Sequence, residues 1–165
     1  MLSPEWAMWE EAIQNEIEGM FDKRRALVPH DASNLTPQQI KRACKLTWVF
    51  KLKMKGGEVV GHRARLCAQG FSQIFGVNYN KTHATAASYS TFTSTLDLSV
   101  QLKLHKRHYD GEKAYLNATL PEEILCCLPG EQRVDGQKYC YAHNCVYGLK
   151  QSGHHWGKLS HQNLM

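Results

Sequence analysis

The sequence predicts an α+β domain in which a long β-hairpin and an antiparallel sheet pack on helices. Three observations support this fold class. Apolar residues recur at helical spacing near the N-terminus, strand-like alternation surrounds Gly56-Gly57, and two further strand-like runs flank Asp135-Gly136. A chain of 165 residues is expected to form one domain, and 42% hydrophobic and 21% charged residues are ordinary globular usage.

Two helices are predicted before the hairpin. Ser3 is suited to cap a helix that begins at Pro4, and the apolar stripe extends that helix over 4–22. Residues 23–35, which are basic and then polar, are expected to form a loop. Thr36 and Gln39 have the spacing of a capping box, so a short helix is predicted over 37–43.

The hairpin allows two registers, which differ in the face that carries Arg63 and Arg65. Strands are predicted over 46–54 and 59–68. A two-residue turn at 56–57 would place both arginines on the apolar face of Trp48 and Phe50, whereas a three-residue loop at 55–57 would place them beside Lys51 and Lys53. We favour the second register because it avoids burying two guanidinium groups. The basic face is then either a binding surface or a merely solvated strand face.

The second half of the chain is predicted to contain two helices and three strands. Ser90 is suited to cap a helix over 91–104, after the loop-rich stretch 69–89. A basic strand over 106–109 leads to Asp110, and strands over 124–128 and 137–147 are joined at the turn signal Asp135-Gly136. A last helix is expected from Gln151 to about 160.

Charge and cysteine content narrow the function classes. The net charge of +5, with nine His besides, is compatible with a nucleic-acid surface or with a mildly basic protein that has no polyanionic partner. No signal peptide is recognisable, so the six Cys are expected to be reduced, and zinc at Cys140, His143 and Cys145 is disfavoured because a second ligand pair is lacking. No apolar run approaches the roughly 20 residues of a membrane helix.

Asp110 is followed five residues later by the run Tyr115-Leu116-Asn117. Seven further short motifs occur elsewhere along the chain. They are Trp6-Ala7-Met8 with Glu10-Glu11-Ala12, Leu27-Val28-Pro29, Trp48-Val49-Phe50-Lys51, Arg63-Ala64-Arg65-Leu66, Gly70-Phe71-Ser72-Gln73, Gly76-Val77-Asn78-Tyr79, and Tyr147-Gly148-Leu149-Lys150-Gln151 with Trp156. In this order they resemble the N-terminal part of the reverse transcriptase of copia-type (Pseudoviridae) LTR retrotransposons. Gly111 and Glu112 depart from the family's Val and Lys.

The resemblance implies a partial right-hand polymerase. Residues of about 1–89 would be fingers-like, and residues of about 90–165 would start an incomplete antiparallel palm sheet. The chain would lack the thumb, RNase H and the second catalytic motif, Tyr-x-Asp-Asp. It is identified as a fragment of a retrotransposon polyprotein.

The resemblance also implies a set of site residues. Asp110 would be a catalytic Mg²⁺ ligand, and Lys51 and Lys53 would bind nucleic acid. Nucleotide-binding residues would be Arg63 and Arg65 at the triphosphate, Tyr115 as a steric gate against ribonucleotides, and Gln151 at the sugar.

Reverse transcription is nucleotidyl transfer by two metal ions, which several clustered carboxylates must hold. We expect no turnover from this chain alone, because the Tyr-x-Asp-Asp carboxylates are absent. The alternatives are a remnant that only binds nucleic acid and a non-functional, decayed reading frame. In the intact family enzyme the partners are an RNA template, a DNA primer, deoxynucleotide triphosphates and the remainder of the polyprotein, with no membrane. The expected location is intracellular, in cytoplasmic virus-like particles, and the chain is not expected to be secreted.

Overall fold

A computed structural model describes residues 4–84 and 86–164 as a mixed α/β fold around a five-stranded sheet of order β1-β5-β4-β2-β3. The strands are β1 (Leu27–His30), β2 (Cys44–Lys55), β3 (Glu58–Ala68), β4 (Thr119–Cys127) and β5 (Tyr139–Asn144). The helices are α1 (Pro4–Ile17), α2 (Pro37–Arg42), α3 (Tyr89–Gln101) and α4 (Ser152–Leu164). The predicted combination of helices with a sheet is confirmed. Within the described ranges, none of the helices is long and apolar enough to cross a lipid bilayer.

The strands predicted over 124–128 and 137–147 pair in antiparallel fashion as expected, but the sheet that they share with the hairpin is mixed. β1, β5 and β4 pair in antiparallel fashion, but β2 joins β4 in parallel through Cys44 opposite Cys126 and Lys45 opposite Cys127. A parallel pair needs a long crossover connection, and here the chain between β2 and β4 contains β3 and α3. The hairpin is therefore attached to the rest of the sheet by a ladder of only two residue pairs.

The first helix has the predicted extent, because α1 continues as a π-helical segment over Glu18–Lys23. Its proposed cap, Ser3, lies outside the described residues. Met20 and Phe21 in the π-helical segment are buried in the core. Trp9 packs edge-on against Phe50 and His62, with ring centroids 5.2 and 4.4 Å away, so α1 lies on the apolar face of the hairpin.

The prediction of a loop over 23–35 is wrong, since Leu27–His30 forms the edge strand β1. Pro29 stands opposite Cys140 of β5 in this strand. Proline is tolerated at the edge of a sheet because the missing N–H then faces away from the ladder. The short helix α2, by contrast, is confirmed together with its capping box of Thr36 and Gln39.

Arg63 and Arg65 lie on the predicted face of the hairpin, but the turn that sets the register is not the predicted three-residue loop. Its turn is the two-residue one, with Lys55 opposite Glu58 and Met54 opposite Val59. A bulge then leaves Val60 without a cross-strand partner, and Lys53 stands opposite Gly61. One extra residue shifts the register by one, so every later side chain of β3 changes face.

The predicted strand over 106–109 is wrong, because residues 104–111 form an exposed loop. The run Lys106-Arg107-His108 concentrates like charges, Gly111 disfavours extended structure, and no described strand pairs with this segment.

The helix before this loop also differs in its bounds. α3 begins at Tyr89 with Ser88 as its cap and ends at Gln101, so the cap lies two residues before the predicted Ser90.

The turn between β4 and β5 follows the sequence prediction. Asp135 and Gly136 both have positive φ, at 51° and 75°, and Val134 bridges Gln137. These are the dihedral signs of the type I′ turn that Asp-Gly favours. The two strands are shifted from the predicted bounds, and α4 begins at Ser152, next to the predicted start.

A close backbone contact joins the base of the hairpin to the chain before α4. Ala68 N donates to Tyr147 O at 2.7 Å, while Gln69 N donates to Lys45 O at 2.8 Å and closes the base of the hairpin itself. Gly148 adopts φ of 89°, and a Cβ there would overlap the Ala68 carbonyl. A Cβ at Gly70 would likewise overlap the Gly148 carbonyl. Both positions therefore require glycine.

Replacing Gly148 with Ala should lower the free energy of unfolding by more than about 3 kcal/mol, the sum of left-handed backbone strain and overpacking. Gly57→Ala is the matched control, because Gly57 also has φ of 89° but its Cβ would meet nothing within 4 Å. We expect that control to cost about 1–2 kcal/mol. Urea denaturation of both variants measures the difference, and equal losses would contradict a steric role for this contact.

Candidate functional site

Four basic side chains share one face of the hairpin. Lys51 stands opposite Arg63 and Val49 stands opposite Arg65, while Lys53 follows Lys51 two residues along β2. The prediction that Arg63 and Arg65 lie beside Lys51 and Lys53 is confirmed. Lys51, Lys53 and Arg63 are exposed, whereas Arg65 is half-buried.

Arg65 is held against an aromatic surface. Its guanidinium carbon lies 5.1 Å from the centre of the Tyr147 ring, and its Nε is buried without a hydrogen-bond partner among the described residues. Such a cation–π contact stabilises a guanidinium at an otherwise apolar position. Tyr115 extends the column, with its ring centre 5.8 Å from that of Tyr147. Burial raises the pKa of the Tyr147 hydroxyl, which therefore stays protonated at neutral pH.

A cavity of about 330 Å³ opens beside Arg65 and Tyr147, between α1, β3 and the turn at 112–113, and Tyr115 is not part of its lining. This volume lies at the lower end of the range of roughly 300–1,000 Å³ that is usual for small-ligand pockets. Its lining contains only two carboxylates, Glu16 and Glu112, but six basic side chains: Lys23, Arg24, Lys53, Arg63, Arg65 and Lys113. We call this cavity the basic pocket. Its excess positive charge favours an anionic ligand.

Both carboxylates of the basic pocket are already paired. Lys113 Nζ lies 2.9 Å from Glu16 Oε2, and Arg24 Nη2 lies 3.5 Å from Glu112 Oε1. Arg24 also donates from Nε to Asn117 Oδ1 at 3.3 Å. These contacts fasten the segment 112–117 to the end of α1 and to Arg24, which directly follows the π-helical segment.

The Lys113–Glu16 pair depends on two backbone features. Lys113 has φ of 47°, which a residue with a Cβ seldom adopts and which aims its side chain at α1. Its ammonium occupies the space where a Cβ of Gly19 would stand, and it lies 3.4 Å from the Asn15 carbonyl oxygen. The Glu16 side chain is only 6% exposed. This is an ion pair withdrawn from water, not a surface pair.

Asp110 stands apart from this arrangement. It is exposed in the 104–111 loop, it does not line the basic pocket, and no hydrogen bond or ion pair connects it with the described residues. A Cβ on the adjacent Gly111 would lie 3.3 Å from the Trp156 ring, so the loop passes close to α4.

Gln151 is also outside the pocket, because its side chain is fully buried. Its Oε1 accepts from Gln73 Nε2 at 3.0 Å and its Nε2 donates to Asn78 O at 3.0 Å. Both ends of the amide are thus used to hold the loop 73–78 against the start of α4.

The described residues do not fit a two-metal centre. No group of three or more His, Cys, Asp or Glu in the ranges 4–84 and 86–164 could hold a metal ion. Asp110 is a single carboxylate, and its neighbour Glu112 is directed to Arg24 instead. Several oxygen ligands would be needed for Mg²⁺.

Comparison with known proteins decides the family. The family model described as reverse transcriptase (RNA-dependent DNA polymerase) matches residues 34–165. The chain belongs to the reverse transcriptase family. It is 34% identical over 119 residues to the retrovirus-related Pol polyprotein from transposon TNT 1-94 of Nicotiana tabacum, which covers 70% of this chain and 9% of that protein. It is 28% identical over 152 residues to the Pol polyproteins from transposons RE2 and RE1 of Arabidopsis thaliana, which covers 90% of this chain and 10% of each.

The resemblance to copia-type retrotransposon reverse transcriptases is therefore confirmed. The chain spans about a tenth of the length of the curated relatives that it matches. No solved structure matches it significantly. Five residues of this reverse transcriptase chain that matter for the pocket were not assigned to a site from the sequence: Glu16, Lys23, Arg24, Lys113 and Tyr147. They come from three parts of the chain, 16–24, 113 and 147, and no local spacing links these parts.

Removing the Lys113 charge tests the buried pair. Lys113→Met leaves the Glu16 carboxylate without its partner, so we expect the free energy of unfolding to fall by about 3 kcal/mol. The matched control is Lys23→Met, because Lys23 pairs with Glu18 at 3.6 Å with both side chains largely exposed. That change should cost less than about 1 kcal/mol.

A double variant separates the charge from the packing of the Lys113 stem. Adding Glu16→Gln to Lys113→Met removes the stranded carboxylate and should restore part of the loss in the same denaturation experiment. If the two Lys variants were equally stable, the Lys113–Glu16 contact would not be a buried ion pair in solution.

Proposed function

We propose that this chain forms the nucleotide-facing part of a reverse transcriptase domain and that the basic pocket binds the phosphates of an incoming deoxynucleotide triphosphate. In this proposal the residues of about 1–89, with the β2–β3 hairpin, act as the fingers, and those of about 90–165 begin the palm. The single observation that carries the proposal is the basic pocket itself, in a chain of this family.

Three pocket residues are proposed to have distinct parts in binding phosphate. Arg63 is exposed, so its guanidinium is accessible to form a fork with a terminal phosphate. Arg65 is restrained by Tyr147 and has a buried, unpartnered Nε, so a phosphate oxygen would supply an acceptor that this group lacks. Lys53 adds a mobile point charge at the rim.

Tyr115 is proposed to limit the space beside the sugar. Its ring packs on Tyr147, so the two aromatic rings are fixed relative to Arg65. A rigid ring discriminates against an added hydroxyl better than a flexible chain does, because it cannot move aside without losing its packing. Gln151 is proposed to act indirectly, by holding the loop 73–78 and the start of α4.

The family's two-metal chemistry needs ligands beyond those described. Divalent metal would activate the primer hydroxyl and neutralise the leaving pyrophosphate when bound. Asp110 is the one residue of this chain that we propose as a ligand, and it would act together with carboxylates from the remainder of a Pol polyprotein. We therefore propose no turnover by residues 1–165 alone, with RNA template and DNA primer as the partners of the assembled enzyme.

A second function is favoured by the position of Lys51. This side chain is exposed on the same face as Arg63 but does not line the basic pocket. The face thus extends along the hairpin beyond the pocket, as a surface that follows a nucleic-acid backbone would. In this alternative the chain binds nucleic acid without catalysis.

Salt dependence of RNA binding tests the hairpin face. Replacing Lys51 and Arg63 with Ala should make the slope of log K against log salt concentration shallower by about one to two units, because each phosphate contact contributes close to one. Lys41→Ala with Arg42→Ala removes the same charge from exposed positions on α2 and should leave the slope nearly unchanged.

Tripolyphosphate binding by variants distinguishes phosphate binding in the basic pocket from nucleic-acid binding along the hairpin. If phosphate binds in the basic pocket, Arg65→Gln should weaken tripolyphosphate binding while leaving RNA binding along the hairpin largely intact. If Arg65→Gln does not change tripolyphosphate affinity, the pocket is not the phosphate site. If the Lys51 and Arg63 change also leaves the salt slope unaltered, the hairpin is not a nucleic-acid surface either.

A further inference from the structure

Three cysteines form a continuous row across three neighbouring strands. Cys44 on β2 stands opposite Cys126 on β4, and Cys126 stands opposite Cys140 on β5. Residues paired across strands point to the same face of the sheet, so their three thiols lie on one side. All three side chains are buried in the core. The row crosses the parallel junction that attaches the hairpin to the rest of the sheet.

The backbone spacing of the row suits a disulfide. Neighbouring strands lie about 4.7–4.9 Å apart, and disulfides join Cα atoms that are usually about 4.4–6.8 Å apart. Residues directly opposite each other therefore meet the distance requirement without movement of a strand. Cys126 meets it on both sides, whereas Cys44 and Cys140 are separated by the whole width of β4.

The two thiols at the β2–β4 junction differ in acidity. The neighbouring Cys126 thiol lowers the pKa of Cys44 to about 7, and the Cys44 thiol raises the pKa of Cys126 well above its usual value. Burial raises the pKa of Cys140 to about 12. Cys44 is the most acidic thiol of the row and also its most exposed one, with 4% of its surface accessible against 0% for Cys126 and Cys140, so we take it as the nucleophile.

We propose that Cys44 and Cys126 form an oxidisable dithiol, which a peroxide converts to a disulfide that locks β2 to β4. The Cys44 thiolate attacks one oxygen of hydrogen peroxide, so an S–O bond forms, the O–O bond breaks, and the leaving hydroxide takes up a proton to become water. The Cys126 sulfur then attacks the Cys44 sulfur, the S–S bond forms, and the S–O bond breaks. The departing hydroxide takes the Cys126 proton as a second water, so two electrons pass from sulfur to the peroxide.

A Cys44–Cys126 disulfide would lie in the short ladder that joins β2 to β4. The β2–β4 ladder has two residue pairs, Cys44 with Cys126 and Lys45 with Cys127. A covalent bond at the first of these pairs prevents the hairpin from separating from β4 and β5. Cys140, on the far side of Cys126, is the one other cysteine of the row that could exchange with this bond.

The remaining cysteines provide internal controls. Cys67 is on β3, half-buried and opposite Thr47, and Cys127 faces the other side of the sheet from Cys126. Neither is paired with a second cysteine in the described registers. Cys67 is thus available to peroxide but has no in-register partner.

The test is oxidation of the folded full chain with hydrogen peroxide, followed by alkylation of free thiols, digestion and mass spectrometry of the linked peptides. The expected product is an intramolecular Cys44–Cys126 link that dithiothreitol reverses. Its formation should become faster as the pH rises through about 7, following ionisation of Cys44. The oxidised chain should melt about 5 °C or more above the reduced one, because the link closes a long loop.

Variants make the outcome decisive. Cys44→Ser should abolish the link and the gain in Tm, whereas Cys67→Ser should leave both unchanged. A principal link between other cysteines, a link between two chains, or over-oxidation of Cys67 with Cys44 and Cys126 still reduced would overturn the proposal. These readings come from the wild-type chain, so they hold even if Cys44→Ser folds poorly.

Discussion

The contact between Ala68 and Gly148 is the constraint on which the arrangement of the site depends. It joins the base of the hairpin to the chain before α4 through the Ala68 N to Tyr147 O hydrogen bond of 2.7 Å. Two glycines make the approach possible, since a Cβ at either Gly70 or Gly148 would overlap backbone atoms. Because Tyr147 is part of this contact, its ring is fixed beneath Arg65. The hairpin and the second half of the chain therefore meet with a defined cation–π pair, although their ladder is short.

A second constraint, the bulge at Val60, decides which side chains reach the pocket. Without it, the two-residue turn at Gly56-Gly57 would place Arg63 opposite Phe50, on the face that packs against Trp9. With it, Arg63 stands opposite Lys51, and α1 covers an apolar face. A single unpaired residue thus separates the hairpin into one side that packs on α1 and one side that carries charge. The basic pocket forms where that charged side meets Lys113 and Arg24.

The sequence predicted those features that depend on neighbouring residues. The Thr36 and Gln39 capping box and the Asp135-Gly136 turn were found because their hydrogen bonds and dihedrals are local. Strand β1 was missed, because Pro29 is acceptable only at a sheet edge and the edge cannot be known before the topology. The strand before Asp110 was predicted wrongly, because a strand-like run of residues does not supply the partner strand that extended structure needs.

In the site too, the sequence predicted what depends on neighbouring residues and not what depends on residues distant in the chain. Alternation along β2 and β3 predicted the shared face of Lys51 and Arg63 with a three-residue loop, whereas the structure has a two-residue turn and a bulge at Val60 that produces the same register. The Lys113–Glu16 pair joins residues almost a hundred positions apart, and no spacing rule relates them. The chemistry of Asp110 stays a proposal, because the described residues bring no second carboxylate to it.

The most direct test of the phosphate-binding pocket is the titration of the ¹⁵N-labelled chain with tripolyphosphate, followed by NMR amide shifts. The proposal predicts the largest shifts at Gly19, Arg65, Lys113 and Tyr147, which come from four separate parts of the chain and meet only in the basic pocket. Shifts centred on Lys41 and Arg42 of α2, or spread evenly over all exposed cations, would contradict it.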